Sequence, residues 1–181
     1  MKKVLLAVGL LVSSHAMFAQ INKGQWLVGG NVAFDSRKIG DYKETTFEIN
    51  PNAGYFFINN FAGGLRLGYT SDKVKGDGDA TTSFSAAPFL RYYFLPAAQK
   101  VNVFADGSYG FAKVGSSDKK SGNYYAIMAG PAVFLSPNTA LEFALYYKSL
   151  GGDAFKNAAG DRDNHFGVNI GFQIHLGGGK K

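Results

Sequence analysis

The 181-residue sequence contains no cysteine, so neither a disulfide bond nor a lipid-modified cysteine contributes to its stability or anchoring. It also lacks an apolar run of the roughly 20 residues that a membrane-spanning helix needs. Charges of one sign are not clustered: in "SRKIGDYKE" and "KNAAGDRD" the basic residues alternate with acidic ones, although the net charge is +6. Such interleaving is typical of solvated loops, and we expect no nucleic-acid partner.

The N-terminal segment has the layout of a secretory signal peptide. Lys2 and Lys3 form a basic start, Val4–Val12 is a short apolar run, and small and polar residues follow as far as Ala19. We expect cleavage after Ala19, which divides the chain into a signal peptide, 1–19, and a mature part, 20–181. The mature part has single-domain length and contains no linker-like tract, so we predict one domain.

Strict alternation of apolar and polar residues dominates the mature part. In "HFGVNIGFQIHL", 165–176, every second residue is apolar, which predicts a β-strand with one apolar and one polar face. The same pattern predicts eight strands in total: 24–36, 43–57, 61–71, 81–95, 101–115, 122–135, 139–149 and 164–176.

The connections between these strands fall into two alternating classes. Those after the second, fourth and sixth strands are short and nearly uncharged: "INN", "PAAQ" and "SPN". Those after the odd strands are longer and polar: "KIGDYK", "DKVKGDGDA", "SSDKKSG" and "LGGDAFKNAAGDRD". A Greek-key sandwich has no reason to sort its loops in this way. The sequence therefore predicts an all-β fold, a closed eight-stranded antiparallel up-and-down barrel.

The residues on the two faces of the strands indicate whether water or lipid surrounds the barrel. The apolar face carries large aliphatic and aromatic residues, and we expect no charged residue on it. The opposite face is rich in Gly, Ala, Ser and Asn, with few of the long charged side chains that a water-exposed face would carry. We therefore predict a transmembrane barrel with the apolar face toward lipid and the small polar face toward a narrow lumen.

Five charged residues fall on the lumen face near the middle of their strands: Glu48, Arg66, Arg91, Asp106 and Glu142. Buried charges must be paired, because an isolated ion in a confined space of low dielectric constant is costly. We therefore expect an ionic cluster in which Arg66 and Arg91 bridge to some of the three carboxylates. Since side chains can nearly fill an eight-stranded barrel, this cluster would plug the lumen.

Aromatic residues concentrate near the predicted strand ends, as in the boundary girdles of outer-membrane barrels. The predicted girdle consists of Tyr55, Phe57, Phe61, Tyr92, Phe94, Tyr69, Tyr125 and Tyr147. Pro51, Pro88 and Pro131 recur shortly before the three short turns. Because proline cannot donate a ladder hydrogen bond, we expect a β-bulge at each of them.

The stretch "INPNAGYFFINNFAGGLRLGYT" resembles a hairpin of the small outer-membrane β-barrel family of Gram-negative bacteria, and the eight-strand pattern is similar to the OmpA transmembrane domain and OmpX. The resemblance implies an integral outer-membrane protein with both termini in the periplasm, contacts with outer-membrane lipid and the outer-membrane assembly machinery, and a monomer. Two departures are expected to matter. No wall-binding domain follows the eighth strand, and the chain ends in "HLGGGKK" rather than on an aromatic residue.

Three functions remain open: a non-enzymatic barrel whose extracellular loops carry any interaction, a small-solute channel, and an outer-leaflet enzyme. Ser149, Asp163 and His165 could form a Ser–His–acid set, but polar residues are ordinary at loop roots. The acidic segments "DKVKGDGD" and "DRDN" lack the spacing of a calcium loop. We therefore expect a non-enzymatic barrel without metal or cofactor, and the loop partner is unknown.

Overall fold

The computed structural model describes residues 21–39, 42–76, 80–96, 99–115, 120–155 and 160–177, with side chains described except at 33–39 and 42–44. The predicted signal peptide and its cleavage site lie outside the described residues. Among the described residues, no helix is long and apolar enough to cross a membrane.

The chain forms a closed barrel in which each strand pairs with its neighbours in sequence, and β1 closes the ring with β8. All neighbouring strands are antiparallel, which confirms the predicted fold. The strands are β1 (Trp26–Ile39), β2 (Tyr42–Ile58), β3 (Phe61–Val74), β4 (Thr81–Tyr93), β5 (Val101–Val114), β6 (Lys120–Ser136), β7 (Thr139–Gly151) and β8 (Asp163–Leu176).

The two rims of the barrel differ in their connections. The turn end carries residues 59–60 and 137–138, and the loop end carries the connections at 75–80, 115–119 and 152–162. The expectation of a long first loop is wrong, because β1 and β2 continue until two residues separate them. Their charged residues remain in the antiparallel ladder, with Lys38 opposite Lys43. Polar sequence does not end a strand that extends beyond the apolar band, since water solvates both of its faces there.

The outer surface follows the alternation of the strands. Large apolar side chains point outward, including Phe111 and Phe166, which are 62% and 73% exposed. The expectation of a charge-free outer face is wrong at the loop end. Lys113 follows Phe111 at the two-residue spacing of one face and is exposed, and Lys73 stands in the same relation to Ser71 and Tyr69 on β3. The apolar band therefore ends below these two lysines.

The expected bulges at the three prolines are also wrong. The register of each even strand passes Pro51, Pro88 and Pro131 without a shift. Each proline instead pairs with the preceding strand, and a two-residue gap interrupts the ladder to the following strand. One missing N–H weakens one side of a strand without requiring an extra residue. The register shifts lie beside the short turns, at Phe56/Ile58 and Phe134/Ser136.

The β1–β8 seam is the shortest ladder in the barrel. Its pairs run from Trp26 opposite Leu176 to Gly30 opposite Phe172, although both strands are 14 residues long. The same register, if continued, would pair Ile39 with Asp163. Gly30 has φ +146° and faces Pro51, and a Cβ there would overlap the backbone carbonyl oxygen of Asn50. Glycine is therefore required where the seam ends.

The segment before β1 packs into the barrel at the turn end. Ile21 is buried, and its carbonyl oxygen accepts a hydrogen bond from the backbone N–H of Asn60. Gln25 is also buried, and its Nε2 donates to the carbonyl oxygen of Gly177, 3.0 Å away. Ile21 and Leu27 belong to one buried group with the aromatic side chains of the core.

Candidate functional site

Four of the five charged residues expected to face the lumen lie together in its middle. Alternation turns Arg66 on β3, Arg91 on β4, Asp106 on β5 and Glu142 on β7 inward. The register sets their heights, because Arg91 lies directly opposite Asp106 on the neighbouring strand. The four side chains therefore meet within one layer of the barrel, and we call them the lumen cluster.

Arg91 is the centre of the lumen cluster. Its Nε lies 3.0 Å from Oδ2 of Asp106, and its Nη1 lies 2.8 Å from Oε1 of Glu142. Arg66 joins from the other side, with Nη2 3.1 Å from Oδ2 of Asp106. The Asp106 carboxylate thus accepts from both guanidinium groups, while Glu142 accepts two hydrogen bonds from Arg91.

The lumen cluster is electrically balanced, with two guanidinium and two carboxylate groups. Three of its members are almost fully buried, and the Arg66 side chain is 13% exposed. Tyr93 adds a neutral partner, because its hydroxyl donates to Oε1 of Glu142 at 3.0 Å. Pairing and hydrogen bonding of this kind are what make buried charge tolerable. Tyr93 is not among the residues predicted for the lumen, although its spacing of two residues from Arg91 places both side chains on one face.

An aromatic layer lies beneath the lumen cluster, toward the turn end. The Arg91 guanidinium carbon is 4.5 Å from the ring centroid of Phe104. Phe56, Tyr93 and Phe104 are fully buried, and His175 stacks on Phe56 with ring centroids 5.7 Å apart. These rings contact one another in a buried group beneath Arg91.

Glu48 stands apart from the other predicted lumen charges. Its Oε1 accepts a hydrogen bond from Nδ2 of Asn50 at 2.5 Å, and it lies opposite Thr70 in the ladder to β3. Arg66 lies opposite Asn52 instead, which is four residues nearer the turn end. A cavity of about 10 Å³ beside the lumen cluster is lined by Asn52, Arg66 and Gln173, among others. Its size matches a single water molecule.

A second group of buried apolar side chains lies at the loop end, where the sequence predicts none. Phe155, from the connection after β7, packs against the buried group formed by Ala87, Tyr124, Ala126 and Leu150. It lies so close to Gly122 that a Cβ there would overlap its ring. Loop residues carry no periodic signal that could have identified this contact.

Arg162 fastens the same connection to the wall. Its Nε donates to Oγ of Ser149 at 2.9 Å, its Nη2 to the Ser149 carbonyl oxygen at 2.7 Å, and its Nη1 to Oδ1 of Asn123 at 3.1 Å. The Ser149 hydroxyl is therefore bound to Arg162. His165 contacts Asp163 at 2.9 Å in an exposed pair. Within the described part of the chain, these residues do not form a Ser–His–acid relay.

The predicted girdle residues lie in two groups on the outer face. Within the group at the turn end, the rings of Tyr55 and Phe57 lie 5.8 Å apart, and those of Tyr92 and Phe94 lie 5.1 Å apart. At the loop end, Tyr125 and Tyr147 lie 6.3 Å apart. The remaining members are Phe61 at the turn end and Tyr69 at the loop end. Their role at the membrane boundaries stays a prediction.

No group of three or more His, Asp or Glu side chains among the described residues is placed to hold a metal ion. The lumen carboxylates are already occupied by arginine and tyrosine donors. The arrangement is therefore suited to electrostatic cross-linking of the wall.

Comparisons with known proteins agree with this architecture. Among solved structures, the outer membrane protein OprG from Pseudomonas aeruginosa is similar, with a TM-score of 0.55 and 13% sequence identity over 88% of this chain and 98% of that chain. At this identity the likeness shows the fold alone. A search of curated proteins finds no match. The family model for the outer membrane protein beta-barrel domain matches residues 4–177, and the chain therefore belongs to that family of outer-membrane barrels.

Proposed function

We propose that this chain is a non-enzymatic outer-membrane barrel with a closed lumen, which presents its loops as an interaction surface. The observation that carries the proposal is the Arg91 bridge to both Asp106 and Glu142 above the aromatic layer. The ion pair to Glu142 joins β4 to β7, which are not neighbours in the wall, so it stiffens the barrel as well as obstructing it. A rigid barrel is a suitable support for loops that carry a binding function.

The charge distribution supports a closed lumen over a small-solute channel. A channel needs charged or polar groups that face an open path and bind solutes weakly enough to release them. In the lumen cluster each charge instead faces a partner of opposite sign, and little net field remains to attract a solute. The channel hypothesis is the alternative outcome of the experiment below.

The contacts of the predicted catalytic candidates support a non-enzymatic role. A serine nucleophile needs a base within hydrogen-bonding distance of its hydroxyl. The Ser149 hydroxyl accepts from Arg162, which is not a base at physiological pH, and His165 pairs with Asp163 at the surface. These contacts favour a structural role for Ser149 and Arg162 at the root of the loop.

For orientation, we propose that the turn end faces the periplasm and the loop end faces outward. Short turns on the periplasmic side and longer loops outside are usual in such barrels. Both described ends of the chain lie at the turn end, where Gln25 bonds to Gly177. Outer-membrane lipid around the wall and the outer-membrane assembly machinery during folding complete the proposed partners.

Planar-bilayer recordings test the closed lumen. Wild-type barrels should give no large, steady conductance, whereas Arg91→Ala should open one by removing the bridge and the guanidinium group that packs on Phe104. Lys100→Ala, at an exposed position of the turn end, is the matched control. Folding of each variant is checked by the change in gel mobility on boiling. Steady wild-type conductance would instead favour the channel.

A further inference from the structure

An apolar groove of about 750 Å³ lies on the wall formed by β2 to β6. It is lined by the rings of Tyr69, Phe84 and Phe111 and by the smaller residues Pro51 and Ala86, among others. The register explains the depression, because Ala86 lies between Leu67 and Phe111 on the neighbouring strands. Ala86 lowers the surface between its larger neighbours, and the groove as a whole has the size of ligand-binding clefts, about 300–1,000 Å³.

The groove ends in a positive charge at the loop end. Lys113 lines it, opposite Phe84 on β4 and Ser121 on β6. The lysine is exposed, and within the described residues it forms no ion pair. Lys73 adds a second exposed charge beyond Tyr69 on the same outer face. A lysine stem can lie along apolar surface while its ammonium group reaches the polar boundary.

We propose that this groove binds a phosphorylated lipid of the outer leaflet, with an acyl chain over Ala86 and a phosphate at Lys113. The inference rests on the proposed orientation, which places the loop end at the outer leaflet. The groove lies on the lipid-facing wall, so its occupant must itself be soluble in the membrane. A compact ammonium group recognises phosphate as a point charge, and basic residues at a membrane boundary attract anionic headgroups.

Native mass spectrometry of barrels released from lipid nanodiscs tests this site. The discs contain phosphatidylethanolamine and lipid A, a phosphorylated outer-leaflet glycolipid. Wild-type barrels should retain lipid A, and Lys113→Ala should retain about fivefold less because one boundary charge is lost. Ala86→Phe places a ring in the middle of the groove and should reduce retention by about the same factor or more, since the acyl chain loses contact surface there.

Matched controls separate this site from general attraction. Lys100→Ala removes a charge at the turn end, and Ala129→Phe enlarges an exposed residue on β6 outside the groove. Both should retain lipid A like the wild type, whereas dephosphorylated lipid A should bind the wild type no better than lipid A binds Lys113→Ala. Equal retention by wild type and Lys113→Ala, or equal loss in Lys100→Ala, would overturn the proposal.

Folding is measured on the same samples by the gel shift on boiling. The comparison of phosphorylated and dephosphorylated lipid uses the wild-type chain, so it decides the matter even where a variant fails to fold. A wild type that does not insert into bilayers would contradict the proposed function. A wild type that inserts without preference for the phosphorylated lipid would contradict the lipid site alone.

Discussion

Nη1 of Arg91 on β4 lies 2.8 Å from Oε1 of Glu142 on β7, so an ion pair joins two strands that are not neighbours in the wall. Asp106 on β5 holds the same guanidinium group at 3.0 Å. Each ladder hydrogen bond connects adjacent strands, whereas this bridge spans the lumen. Loss of this bridge should therefore lower the free energy of unfolding of the whole barrel.

Glu142→Gln tests the bridge with little change in shape. The amide keeps a hydrogen-bond acceptor for Tyr93 but removes the charge that balances Arg91. Breaking a buried pair by removing one partner costs about 3–5 kcal/mol, and we expect a loss near the lower limit because Asp106 remains. Urea unfolding in lipid vesicles measures it. Asp163→Asn is the control and should cost less than about 1 kcal/mol, since Asp163 pairs with His165 at an exposed position outside the cluster. Equal losses would contradict the assigned role.

Phe104→Ala tests the aromatic layer. Phe104 is fully buried under the Arg91 guanidinium group, so truncation leaves a cavity that the rigid wall cannot fill. We expect a loss of about 3–5 kcal/mol in the free energy of unfolding. The same substitution at Phe166, which is 73% exposed, should cost at least about 2 kcal/mol less, because lipid fills the space. A larger loss of stability in Phe166→Ala than in Phe104→Ala would contradict the importance of the aromatic layer inside the barrel.

The sequence predicts which residues face the lumen more reliably than which of them touch. Alternation has a period of two, so facing follows from parity alone once the strands are identified. Two lumen side chains touch only if they also lie at the same height along the barrel axis. That height depends on the register, and the register shift at Phe56/Ile58 is set by turn geometry that the pattern does not contain. Arg66 therefore lies opposite Asn52, and Glu48 lies too far toward the loop end to join Asp106.

Three further features differ in how far the sequence pattern could predict them: the charge on the outer face, the packing of Phe155 and the length of the β1–β8 seam. The predicted fifth strand, 101–115, already contains Lys113 on the face of Phe111, so the alternation itself contradicts the expectation of a charge-free outer face. The contact between Phe155 and Gly122 depends on how an irregular connection folds back, for which no period exists. The early end of the β1–β8 seam depends on closing the first strand against the last, the most non-local contact in the chain.

Arg162→Ala should release the connection after β7. Its guanidinium group makes hydrogen bonds to Ser149 and Asn123, and these bonds hold the segment that carries Phe155. Loss of several bonds at one anchor should raise the rate of local opening by about tenfold. Chymotrypsin cleavage after Phe155 in intact cells measures that rate without using Arg162 as a cleavage site. Lys120→Ala, an exposed residue at the loop end, is the control and should leave the rate unchanged.

The short β1–β8 seam predicts a difference between two pairs of engineered cysteines. Val28 lies opposite Ile174 within the ladder, and the same register would place Val32 opposite Ile170 beyond its end. The two pairs lie four residues apart along the same strands, so their side chains share one face of the wall. A disulfide forms when the two Cα atoms lie within about 4.4–6.8 Å, a spacing that ladder partners satisfy. Oxidation of the folded barrel should therefore cross-link the Val28→Cys/Ile174→Cys pair quickly and the Val32→Cys/Ile170→Cys pair slowly. Equal rates, with both variants keeping their gel shift on boiling, would mean that the β1–β8 ladder continues beyond Gly30 and would contradict the short seam.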